Sequence, residues 1–279
     1  MYSTLAGMPA LLSSKHTYHY ASKDVSIVAW QSPGTEHVRA VVLLGTVQIG
    51  KLAEWVAAAC PAGTVVIEGA PHWQASADGS DIPEFMAEYS RQSLCHVLET
   101  YHPDRLHIIA ESQAVPGMLM AVIDKRYRKH IAKLTLLQPL GFNAAGFGQT
   151  DTTRIRTFKR RIAQNMRHQI RSLITDSRLR YNHRQLLQII DMKSSEALAQ
   201  YDSGLRYDAL PDLQRVCAMH IPIHVICGGK DMLFRPAEIQ SAFALSHTAV
   251  PVMTIPGVPH SPLATRHGIQ LLHAAFYEN

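Results

Sequence analysis

The 279-residue chain has no apolar run as long as the roughly 18 residues a membrane-spanning helix requires, so no helical span is predicted. Its first 15 residues lack a basic start and a sustained apolar core. They read as an N-terminal arm rather than a signal peptide. Cysteine is scarce and scattered: Cys60, Cys95, Cys217 and Cys227 form no C-x-x-C pair and no Cys/His cluster of zinc type. Neither a metal site nor a disulfide framework is therefore expected. Four buried, reduced thiols are, and with them a reducing, cytoplasmic compartment. The sequence also lacks internal repeats, low-complexity linkers and any helix-turn-helix or other nucleic-acid signature, so no nucleic-acid partner is expected.

Charge is sparse, at 18% of residues against 47% apolar, and unevenly placed. Between Arg154 and Arg184 there are ten Lys/Arg and one acid, Asp176. That segment carries +9 and the rest of the chain about −4, which together give the net +5. The basic character therefore belongs to one segment. It reads either as a solvated helix face or as a surface attracting an anionic substrate, a carrier-bound acyl group or an acidic membrane surface.

Short β-branched apolar runs alternate with helical patterns. Residues 25–30, 40–44, 64–67, 106–109, 134–137, 224–227 and 252–255 read as strands. The four runs from Ala40 to Leu137 are apolar on both faces, as buried parallel strands are. Residues 17–20 and 25–30 lie close enough to form an antiparallel hairpin at one edge. Helices are predicted over 52–59, 83–101, 115–125 and 269–277. The fold class that follows is α/β: a doubly wound, mostly parallel sheet with helices on both faces. Residues 141–211 break the alternation and hold only amphipathic helical patterns. They are predicted to be an inserted helical cap, leaving 1–140 and 212–279 as the core domain.

Three stretches are candidates for chemistry. In Ala110-Glu111-Ser112-Gln113-Ala114 a hydrophobic strand runs directly into a helix. A serine on so sharp a turn is held in a strained backbone conformation that projects its hydroxyl, and the flanking residues must be small. The plainer reading is a serine capping a helix. In Ile221 to Asp231 a strand ends at Gly228-Gly229 and a carboxylate follows, at the sheet end where α/β proteins build sites; a turn or helix-cap aspartate is the alternative. In Val252 to Leu263 a strand leads into a Pro/Gly loop that carries His260. After strand 134–137 stand Gln138-Pro139, with no carboxylate, which favours Asp231 as the acid. Glu111, beside the serine, is expected to form a salt bridge beneath the turn.

The order Ser112, Asp231, His260, each after a strand, resembles the α/β-hydrolase superfamily over residues 20 to 279. The stretch from Ile67 to Ser76 is similar to the family's D-x-R-G-x-G-x-S strand and loop. Ala110 and Ala114 replace the commoner glycines of G-x-S-x-G, and Gly45-Thr46 replaces the usual His-Gly. The resemblance implies that Ser112 is the nucleophile, His260 the base and Asp231 its orienting acid. Oxyanion donors would be the backbone N–H groups of Gln113 and of Thr46 or Val47. Trp73, Phe158, Ile162 and Met166 are candidates to line the pocket, with the basic face of the cap, including Arg160, Arg161 and Arg167, pointing outward. The expected activity is hydrolysis of a carboxylic ester or thioester of a small-molecule acyl substrate, with no cofactor and an oligomeric state left open. Acyl transfer on the same triad and a non-catalytic binding protein of this fold are the alternatives.

Overall fold

A computed structural model of the chain describes residues 11–21, 23–34, 37–45, 51–71, 82–142, 156–157, 160–161, 164, 207–261, 263 and 265–277. The described strands are β1 (Leu12–Tyr20), β2 (Lys23–Gln31), β3 (Ala40–Leu43), β4 (Thr64–Ile67), β5 (Leu106–Glu111), β6 (Ile131–Leu137), β7 (Ile223–Gly228) and β8 (Val252–Ile255). They form one sheet in the order β1-β2-β4-β3-β5-β6-β7-β8. From β4 to β8 every neighbouring pair is parallel. β1 and β2 form the expected antiparallel hairpin at one edge, and β2 joins β4 antiparallel.

The buried strands explain the layering. Successive side chains alternate between sheet faces. Val41, Leu43, Ile108, Ala110, Leu134, Leu136 and Val225 join one core cluster. Val42, Leu44, Val66, Ile109, Leu137 and Ile226 join another. The first is covered by helices α2 (Ile82–Tyr101), α3 (Ala114–Val122), α5 (Leu210–Ala218) and α6 (Pro236–Leu245). The second is covered by α1 (Lys51–Ala59) and α7 (Arg266–Tyr277). Both faces are thus apolar because both are roofed by helices, as a parallel sheet requires. No described helix is long and apolar enough to cross a membrane.

Three helical features differ from expectation. The helix predicted over 115–125 ends at Val122, and a short α4 (Lys125–Arg128) starts anew. The cause is Asp124, whose extended backbone and side chain, accepting the Arg126 N–H, cap a new start. Helices α5 and α6 are absent from the predicted set, and each carries a proline, Pro211 or Pro236. Each stands in the first turn of its helix, where a missing N–H costs little. The thiols differ too. All four are free, but only Cys60 and Cys227 are buried, while Cys95 and Cys217 are partly exposed.

Candidate active site

Ser112 follows β5 at once and adopts φ +51°, the left-handed region that a residue with a Cβ seldom enters. Such a conformation costs about 1–3 kcal/mol and persists only where its surroundings impose it. Here the Ser112 N–H donates to the Leu137 carbonyl at 2.9 Å, and its own carbonyl accepts from Val115 at 3.2 Å and Leu140 at 3.3 Å. Ala110 and Ala114 are both buried, so the small residues stand where strand and helix converge. Helix α3 begins two residues after the serine and aims its N-terminus at this turn.

Beside the serine, the buried Glu111 accepts the Gly45 N–H at 2.7 Å. One contact of this carboxylate is thus a backbone N–H just past the end of β3. It ties the loop that continues into Thr46 and Val47 to the turn bearing Ser112. A Cβ on Gly45 would lie only 3.1 Å from Glu111 Oε2 and 3.5 Å from the Ser112 Cβ. Thr46 and Val47 themselves lie outside the described residues.

Asp231 follows β7 and is hydrogen-bonded through both carboxylate oxygens. Its Oδ1 accepts the N–H groups of Leu233 and Phe234, both at 2.8 Å. Its Oδ2 lies 2.8 Å from His260 Nδ1. A carboxylate so bonded holds a ring tautomer with the proton on Nδ1. The other ring nitrogen, Nε2, faces Ser112 Oγ at 3.4 Å. That is longer than a tight hydrogen bond. The Phe234 ring stands edge-on to the imidazole at 5.2 Å and fixes its plane.

Burial alone would depress the His260 pKa. The charge of Asp231 and its hydrogen bond oppose this, the charge of Glu111 adds to them, and together they lift it above the ordinary histidine value. The group is thus built to become cationic readily while buried. The loop carrying it packs against the end of β7 so closely that a Cβ on Gly228 would sit 2.3 Å from the Val258 carbonyl oxygen. Only glycine allows that approach.

A hydroxyl, an imidazole and a carboxylate therefore stand in line at the carboxyl ends of β5, β7 and β8. The sheet order, the two-faced helical cover and a serine on a strand-to-helix turn decide the architecture. The fold is that of the α/β-hydrolase superfamily. Similarity to solved α/β-hydrolase structures runs over nearly the whole chain at low identity. A thioesterase domain from the curacin biosynthetic pathway matches with a TM-score of 0.58 at 15% identity, covering 96% of this chain and 99% of that one. An esterase from Rhodococcus sp. ECU1013 gives 0.57 at 13%, covering 96% and 98%. E-2-(acetamidomethylene)succinate hydrolase gives 0.56 at 12%, covering 96% and 99%. No protein-family model and no curated protein matches the sequence.

Of the other residues singled out from sequence, Gln113 is buried at the N-cap of α3. Trp73, Phe158, Ile162 and Met166 lie outside the described residues, as does nearly all of 141–211. Arg161 corrects one expectation. It does not point outward but is buried, donating to both Glu238 carboxylate oxygens at 2.6 and 2.8 Å and to the Leu233 carbonyl at 3.3 Å. A guanidinium beside a matching carboxylate on α6 gains a bidentate pair by turning inward. Sequence reasoning notes Gln138 only as a position without a carboxylate and passes over Phe234. Both follow strand ends and are buried, but neither carries a charge or a recognised motif.

Proposed function

We propose that the chain is a serine hydrolase that cleaves a carboxylic ester or thioester through a covalent acyl-enzyme. The observation that carries this reading is the alignment of Ser112 Oγ, His260 and Asp231, with the serine at a left-handed turn before a helix. His260 Nε2 takes the Ser112 proton as Oγ bonds to the acyl carbon. The charge that develops on the carbonyl oxygen is met by backbone N–H groups, those of Gln113 and of Thr46 or Val47. Collapse of that adduct expels the alcohol or thiol, which receives the proton from His260. Water then repeats the sequence on the acyl-enzyme, releasing the acid and restoring Ser112. Asp231 keeps the ring in the required tautomer and stabilises its cation.

The names of the solved relatives support acyl-bond hydrolysis as the reaction class. Residues 141–211 would form the cap over this site, with Trp73, Phe158, Ile162 and Met166 as candidates for the substrate-facing surface. A serine-directed fluorophosphonate probe tests the reading. Labelling at Ser112 is expected, together with hydrolysis within a panel of p-nitrophenyl esters and acyl-CoA thioesters of graded chain length. A folded protein that takes up no label would instead be a binding protein on a hydrolase scaffold.

A further inference from the structure

Beyond the three groups in line, one fully buried side chain reaches the loop that carries the base. Gln138 follows β6 and, like Ser112, adopts a left-handed backbone, with φ +46°. Its N–H is taken by the Ile226 carbonyl of β7 at 2.8 Å. Its side-chain amide then makes two bonds to a single residue: Oε1 accepts the Ser261 N–H at 2.9 Å, and Nε2 donates to the Ser261 carbonyl at 3.0 Å. Ser261 is itself buried and directly follows His260.

We propose that Gln138 is a positioning residue for the base: its amide acts as a two-point clamp on the backbone of Ser261 and so sets where the His260 ring stands relative to Ser112. This rests on the proposed hydrolase reading. The two bonds have opposite polarity, and a primary amide satisfies both at once whatever the pH. A carboxylate in its place would accept the N–H but set an oxygen against the Ser261 carbonyl. An apolar chain would leave a buried N–H and C=O without partners. The left-handed turn is what aims the amide across from β6 to the histidine loop. Gln138 touches none of the reacting atoms. Its effect passes through the distance between His260 Nε2 and Ser112 Oγ, already 3.4 Å. A displacement of about 1 Å at such a pair costs on the order of a hundredfold in rate.

The charged groups acting on His260 are Asp231, from the loop after β7, and Glu111, from β5. A carboxyl introduced by Gln138→Glu would join these two acids in a buried place. Burial and like charge would then hold it protonated to a higher pH than a free carboxyl. While protonated it can donate to the Ser261 carbonyl, much as the amide does. The native enzyme should show kcat/KM rising with pH to a plateau as His260 loses its proton. Gln138→Glu should follow the native profile at the acid end, then fall away on the alkaline side, turning the plateau into a bell. Gln138→Met, similar in size and without polar atoms, should lose about tenfold to a hundredfold in kcat at every pH. Its KM for a small neutral ester should stay near the native value.

The experiment measures these profiles with p-nitrophenyl acetate, the rate of fluorophosphonate labelling, and the downfield proton resonance of His260 Nδ1–H. The resonance is read whether or not turnover occurs, and Gln138→Met should shift or broaden it. If both folded variants keep native profiles, labelling rates and resonance, the clamp is overturned. If Gln138→Glu does not fold, Gln138→Met alone decides by the same three readouts. If the native protein neither labels nor hydrolyses, the hydrolase reading fails, and the resonance still tells whether Gln138 places the ring.

Discussion

Ser112 is held in part by its own neighbourhood in the chain. Ala110, Glu111 and Ala114 surround it, α3 starts two residues later and the Val115 N–H bonds its carbonyl, while Leu137 and Leu140, on and just after β6, supply the other two bonds of its turn. His260 is held almost wholly by residues remote in sequence. Gln138 clamps the next residue, Asp231 holds the ring, Phe234 stacks on it edge-on, and Gly228 lets the loop close down. One arm of the site is a local motif with strain built into it. The other is a loop whose position is borrowed from the ends of β6 and β7. A site residue can thus be plain in sequence while everything that places it is not.

The sharpest way to break this contrast is to remove the groups themselves. Ser112→Ala and His260→Ala should each lower kcat by about 10⁴-fold or more on any ester that the native protein accepts, and the double variant should lose little beyond either alone, because the groups act as a unit. Single-turnover and steady-state kinetics check this. Additive losses would mean that the two side chains serve separate steps, and near-native turnover of Ser112→Ala would point to another nucleophile.

A smaller effect should come from displacing only the borrowed arm. Gly228→Ala places a Cβ 2.3 Å from the Val258 carbonyl oxygen, so backbone must shift. Overpacking of this kind costs typically about 1–3 kcal/mol. Urea denaturation should show that loss, and kcat should fall by about tenfold to a hundredfold as the histidine loop moves. Destabilisation with unchanged kcat would show that the loop tolerates displacement and that His260 does not depend on its remote supports.

The smallest effect belongs to charge rather than position. Glu111→Gln keeps an oxygen for the Gly45 N–H and removes a negative charge that favours the His260 cation. With that charge gone, the folded-state pKa of His260 falls, so more of the ring is neutral in mildly acidic solution. The acid limb of kcat/KM should move to lower pH, raising relative activity near pH 6 by a few-fold while the plateau changes little. The sign for stability is the same. A histidine whose folded pKa is raised adds stability below its unfolded pKa, and that stability is lost as pH rises through the folded one, so the variant should lose acid-side stability only. An acid limb that moves to higher pH, or not at all, would remove Glu111 from the electrostatics of the base.

Much of this architecture is legible in the amino-acid sequence. The seven strand runs, the hairpin edge and the serine turn follow from apolar periodicity and from small residues flanking Ser112. Ser112, Asp231 and His260 can be named because each follows a strand end, and the folded chain brings the three side chains together. Helices α5 and α6 are harder to read, since proline at a helix start looks like proline that ends one. Arg161 reads as a solvent-facing cation because its partner Glu238 lies 77 residues away.

The sequence by itself determined the alternation of strands and helices, the burial of the sheet on both faces and the identity of the residue at the strained turn. These depend on periodicity, side-chain size and neighbours a few residues away. Only the tertiary structure decided that Gln138 meets Ser261 across 123 residues, that Glu111 reaches Gly45 across 66, and that Gly228 must be bare for Val258 to approach. Such contacts are set by the order in which strands take their places in the sheet. A buried amide, unlike an apolar face, repeats with no period that could mark its partner in advance.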